Sequence, residues 1–173
     1  MKKLLLILIL FFWVYSFGQE ITRTIYKNSD DLTIVYRISH HDIYGEFSVH
    51  GDGFGGQYFQ LDSNMTFKKI SFGCGSRFTI DSGSWTIKKE NNLILKSGKR
   101  ILKITIIKVD NFYFFLFPEQ IQKFNADLKV LKLKFKNKSP IKIDNKTYSI
   151  DHMIGFSLND KYYAKEIEDI AGT

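Results

Sequence analysis

The sequence predicts a mainly β protein: an antiparallel meander closing into a barrel or a strongly curved sheet, with one short helix near residues 118–130. Three observations carry this expectation. Residues 56–97 hold aromatic and β-branched runs bounded by Asp, Asn, Ser or Gly, and runs of about four to eight such residues are strands joined by hairpins. The chain is 44% hydrophobic and 16% aromatic with only two prolines, a composition that can bury a core and favours strands. Its 173 residues suggest a single domain.

The first segment reads as a targeting signal. Lys2 and Lys3 precede an apolar run of 12 residues, 4–15, and Ser16-Phe17-Gly18 places small residues before a cut ahead of Gln19. That is the layout of a secretory signal peptide over 1–18. A bilayer span needs about 20 residues, so an uncleaved anchor is the less favoured reading. The expectation is an exported chain, periplasmic or secreted, with a single β-rich domain over 19–173 and no transmembrane segment in the mature form.

The strands then follow in order. Residues 21–26 and 32–38 read as strands around an Asn28–Asp31 turn, and 43–49 alternates Ile43, Phe47 and Val49 against Tyr44, Glu46 and Ser48. In the central stretch, 58–61, 65–72, 84–87 and 93–95 are strands, and Gly73-Cys74-Gly75 and Asp81-Ser82-Gly83 are breaks. Trp85 is read as the core anchor of this meander rather than as a sugar platform. Residues 100–109 alternate, and Asp110-Asn111 is a turn. Residues 112–117 are apolar on both faces, which requires cover on both sides or a partner.

Pro118-Glu119 opens a helix, and Ile121, Phe124 and Leu128 line one face of it to about residue 130. Beyond it Leu131, Leu133 and Phe135 alternate with lysines at strand spacing. Ser139-Pro140 is a break, and 141–143, 147–150, 155–158 and 162–167 read as further short strands.

No catalytic constellation stands out, and the reading points away from an enzyme. His40, His41, His50 and His152 are the only histidines. A metal site at His40-His41-Asp42 and His50-Gly51-Asp52 would need both ends of one strand, about 20 Å apart at ~3.3 Å per residue, to converge, so polar loop roles are favoured. Gly51, Gly53 and Gly56 spell G-x-G-x-x-G, but a strand-like run follows where a dinucleotide site needs a helix. No catalytic, cofactor or metal residue is assigned. Cys74 is the sole cysteine; a buried, inert thiol is favoured over a reactive one or an interchain disulfide.

Charge is uneven. Residues 96–142 carry twelve basic side chains against Asp110, Glu119 and Asp127, while 19–95 and 143–173 together are net acidic. A basic face of this kind is either a solvated lysine surface or a docking face for an anionic membrane, glycan or protein partner. Nucleic acid is disfavoured, because lysine outnumbers arginine and the chain carries an export signal.

Residues 58–67, Gly83-Ser84-Trp85, Leu93-Ile94-Leu95 and Phe115-Leu116-Phe117-Pro118 resemble the pattern of small exported bacterial β-proteins, and the Ser16-Phe17-Gly18-Gln19 ending resembles signal peptides of Bacteroidota. The Gly-x-Trp strand and its neighbours are also similar to lipocalin-like envelope proteins, including the copper-resistance lipoprotein type. This chain lacks the lipid-anchoring Cys and the Cys pair of that type, so no copper or sensor role carries over. The resemblance implies an antiparallel β-barrel. The expected function is a non-enzymatic, lipocalin-like module binding a small apolar ligand. The alternative is an envelope structural or interaction protein using the basic face 96–142.

Overall fold

A computed structural model of the chain describes residues 25–29, 32–36, 38–49, 55–88 and 91–167. The signal-peptide segment, His50, Asp52, and Gly51 and Gly53 of the glycine-rich loop lie outside the described residues.

β1 (Ile25–Ser29) and β2 (Leu32–Tyr36) form a separate hairpin with Ser29 opposite Leu32. Asn28 and Ser29 therefore belong to a strand, not to the expected turn. Next comes a single 3-10 turn, His40–Ile43, where a strand was expected to begin. Ser39 starts it: its Oγ accepts from the His41 N–H, and Asp42 Oδ2 accepts from the Ser39 N–H. This reciprocal cap draws Ile43 into the turn, and the alternation that follows forms a strand from Gly45.

The meander then runs as β3 (Gly45–Ser48), β4 (Gly55–Leu61), β5 (Thr66–Gly73), β6 (Ser76–Lys88), β7 (Asn92–Ser97), β8 (Arg100–Val109) and β9 (Phe112–Leu116). The chain leaves the sheet through a 3-10 turn at Pro118–Gln120, helix α1 (Ile121–Phe135), the hairpin of β10 (Ile141–Ile143) and β11 (Lys146–Tyr148), and helix α2 (Ile150–Asn159). It returns as β12 (Tyr163–Glu166), which pairs antiparallel with both β9 and β3 and closes an eight-stranded barrel. The mainly β, closed antiparallel architecture is the expected one.

Strand alternation fills the barrel. Phe47, Phe59, Leu61, Phe67, Trp85, Leu93, Leu95, Ile104, Ile106, Tyr113 and Phe115 form one buried cluster, each large apolar side chain contributing about 1.5–3 kcal/mol by leaving water. Trp85 anchors it: its Nε1–H donates to the Asp62 carbonyl (3.1 Å), and its backbone N–H to that of Met65 (2.9 Å).

The two-faced run in β9 is explained by its neighbours. Tyr113 and Phe115 point into the barrel, while Phe112, Phe114 and Leu116 point outward under Phe124, Leu128, Ile154 and Leu158 of the two helices. The helices thus supply the outer cover the sequence demanded.

Three local expectations are corrected. Asp81-Ser82-Gly83 is not a break but part of β6: Lys69 pairs with Asp81 and Ile70 with Thr79, so Ile80 is an extra, bulged residue. Residues 131–135 continue α1, because Leu131 and Phe135 extend the Phe124–Leu128 stripe onto the outer cluster. Residues 155–158 are helical, not extended. Ser149 Oγ caps α2 by accepting from the His152 N–H (2.9 Å), and Ile154 and Leu158, four apart, are buried together.

Cys74 is exposed, contrary to the buried thiol expected. With Gly75 it forms the two-residue turn between β5 and β6, at φ +48° and +78°. Such a turn twists with its strands and projects its side chains into water.

α1 is tied to the start of β12 by one carboxylate. Asp127 accepts from the Tyr162 hydroxyl (3.0 Å), Lys123 Nζ (3.3 Å) and Lys161 Nζ (3.4 Å). Burial alone would raise the Asp127 carboxyl, but these three donors outweigh it and hold it below its ordinary value. Burial, then the hydrogen bond to Asp127, pushes the Tyr162 hydroxyl up to about 12. A raised folded-state value means stability that is whole below the unfolded tyrosine's pKa, about 10, and lost as pH rises toward 12. Alkaline melting curves should therefore show a fall in stability between these values. Tyr162→Phe, which keeps the ring against Phe124, should reduce that slope, with the rest supplied by Tyr163, whose hydroxyl burial also pushes up; an unchanged slope would mean that Tyr162 does not contribute to it.

Candidate functional site

A cleft of about 290 Å³ lies outside the barrel, lined by Ile143, Tyr148, His152, Met153, Phe156 and Glu166. Three separate pieces of chain build it. The β10–β11 hairpin turns at Asp144 and Asn145, both at positive φ, and presents Ile143 and Tyr148. The first two turns of α2 present His152, Met153 and Phe156. β12 contributes Glu166, held opposite Phe112 by the β9–β12 register.

His152 stands at the polar side of this cleft. Its Nδ1 faces Asp110 Oδ2 at 3.5 Å, and its Nε2 faces Glu166 Oε1 at 3.6 Å. Its ring lies 5.0 Å from that of Tyr148 and 5.4 Å from that of Phe112. The imidazole thus sits beside two aromatic rings with a carboxylate oxygen 3.5–3.6 Å from each nitrogen. Asp110 comes from the β8–β9 turn and Glu166 from the end of β12, so barrel closure itself brings the two acids to one histidine. Glu166 is about half exposed, its side chain 52% accessible, and can present a carboxylate oxygen to a bound molecule. The remaining wall is apolar: Ile143, Met153 and Phe156.

The other sequence candidates have structural roles. The His40 ring packs 5.5 Å from Trp85, and His41 lies 5.2 Å edge-on to Tyr44. Asp42 is spent on the Ser39 cap. Gly56 lies within β4, where a helix would be needed for a dinucleotide. Among the described residues no three His, Cys, Asp or Glu side chains form a metal-binding group. At one end of the barrel Lys165 donates to the Tyr44 carbonyl, and burial lowers its pKa, against the pull of Asp42.

The barrel interior, where a lipocalin would place its ligand, is occupied among the described residues by Phe47, Phe59, Phe67, Trp85 and Phe115. The sequence reading gave His152 no role, because neither Asp110 nor Glu166 is near it in the chain. The legible signal was Ser149, with Asp151 in the first turn, heading a helix over residues read as a strand.

Comparison with protein-family models, curated proteins and solved structures returns no match.

Proposed function

We propose that the protein is a non-enzymatic, extracytoplasmic binding module that holds a small apolar ligand in the cleft between α2, the β10–β11 hairpin and β12. The observation that carries the reading is the lining itself: an apolar wall of Ile143, Met153 and Phe156 facing the positioned pair His152 and Glu166. Few, fixed polar groups on an otherwise apolar concavity is the usual make-up of a small-molecule site. The N-terminal signal pattern supports the location.

Size restricts the ligand. At about 290 Å³ the cleft sits at the lower edge of the ~300–1,000 Å³ typical of ligand pockets. At ~30 Å³ per water-sized group, it takes roughly ten non-hydrogen atoms. The cleft opens to solvent, so this is the part of a ligand it can bury: a single ring or a short branched chain, with a hydrogen-bond donor at the end that meets Glu166. At about 0.6 kcal/mol per atom, ten atoms give about 6 kcal/mol, a Kd of tens of micromolar.

The test is ligand-observed NMR with a set of uncharged aromatic and branched aliphatic molecules of this size, some carrying a terminal donor. The wild type should bind a subset, donors preferred. Met153→Glu, which puts a second carboxylate on the apolar wall, should weaken those hits by at least about tenfold without lowering the melting temperature. Equal binding by the variant removes the cleft from consideration.

A further inference from the structure

Helix α1 carries two apolar stripes, and the barrel covers only one. Phe124 and Leu128 are fully buried, and Leu131 and Phe135 continue their stripe against the outer cluster. On the other side Ala126, Val130 and Leu133 repeat the spacing of four and three and face solvent. Val130 is 63% and Leu133 64% exposed. An exposed helix position is free to take any strong helix former; Leu133 is one, but the β-branched Val130 is not, so helix propensity does not account for the valine.

The charges around the second stripe are ordered. At helical spacing Lys134 falls along one edge, its Nζ 5.7 Å over the Phe135 ring, and Lys129 and Lys136 fall along the other, all exposed; Lys123, also on the first edge, is held by Asp127. Lys132 is half-buried on the inner side and is not part of this set. Residues 123–142 hold seven lysines and a single acid, Asp127. That acid is already matched by Tyr162, Lys123 and Lys161, so it does not offset Lys129, Lys134 and Lys136.

We propose that this outward face of α1 docks on an anionic lipid bilayer. A helix lying in the membrane interface needs apolar side chains at its apex, to enter the acyl boundary, and long cationic side chains at its flanks, to reach the phosphates. α1 supplies both. A soluble polyanion would engage the lysines but leave Val130 and Leu133 in water, which is why a lipid surface is the better match. The face is distinct from the cleft, and the inference stands whether or not the cleft binds a ligand.

The test is co-sedimentation of the chain from Gln19 onward, which keeps every described strand and helix and removes the apolar run 4–15. Vesicles of equal parts phosphatidylglycerol and phosphatidylcholine are compared with phosphatidylcholine alone at physiological salt. The protein should partition onto the anionic vesicles only. Lys129→Glu with Lys134→Glu should lower that partition by at least about tenfold. Val130→Ser with Leu133→Ser should lower it by about tenfold while leaving binding to soluble polyphosphate unchanged. All four positions are exposed, so the variants should keep the wild-type melting temperature. No partition by the wild type would overturn the proposal and leave a solvated lysine face. Wild-type partition by the serine variant would also overturn it and leave a plain polyanion site.

Discussion

Gly83→Ala is expected to destabilise the barrel by about 3 kcal/mol or more, the upper end of overpacking costs. A Cβ at this position would stand 1.9 Å from the Lys96 carbonyl oxygen, 2.8 Å from its carbon and 3.0 Å from Phe67. Two of these atoms are backbone, so no rotamer change relieves the clash. Strands β6 and β7 would have to separate just where their pairing begins, at Ser84 opposite Lys96. Against a typical total of about 5–15 kcal/mol, such a loss leaves a large unfolded fraction under mild denaturant. Gly75→Ala is the comparison: nothing lies within 4 Å of its Cβ, and only a φ of +78° opposes it, so its cost should be nearer 1 kcal/mol. Urea midpoints of the two variants measure the difference. Equal midpoints would mean that β6 does not approach β7 as described.

Gly155→Val should unseat α2 and empty the cleft. The Cβ would fall 2.4 Å from Phe112 Cδ2. Phe112 is fully buried and is held against Phe114 and His152, so its ring has little room to turn away. Even alanine should cost about 1–3 kcal/mol, or roughly 2–4 °C of melting temperature per kcal/mol for a domain of this size. Valine adds branches to the same clash and should shift α2 bodily. Because His152, Met153 and Phe156 all ride on α2, fragment binding should vanish together with the stability. A valine variant that melts as the wild type would place α2 elsewhere.

Much of the fold was legible because the barrel obeys local rules. The Asp-Asn and Gly-Cys-Gly turns, the alternation in β8 and the two-faced apolar run of β9 each follow from side-chain period and turn chemistry. One misreading comes from a helical segment whose apolar residues also happen to alternate. Leu131, Leu133 and Phe135 look like a strand only because Leu133, which the core does not need, is apolar. That same residue is the apex of the proposed membrane face. Residues 155–158 misled for another reason. Gly155 is there to admit Phe112, a contact from 43 positions away that no local pattern records.

Of the cleft, only the start of α2 was legible, through Ser149 and Asp151. Asp110, His152 and Glu166 are unremarkable singly, and only the β9–β12 register, Glu166 opposite Phe112, carries one carboxylate to the other. The expectation of an apolar ligand arose from aromatic content, and those aromatics are instead the packing of the barrel and of its helical cover.

The most direct measurement is a methyl-resolved NMR titration of the protein with the fragment hits at millimolar concentration. Ile143 and Met153 report on the cleft, Ile104 and Ile106 on the barrel interior, and Leu133 on the outer face of α1. The expected result is saturable shifts at Ile143 and Met153 with Ile104, Ile106 and Leu133 unmoved. Shifts at Ile104 and Ile106 in place of the cleft methyls, or no saturable shift at any of them, would contradict the proposed function.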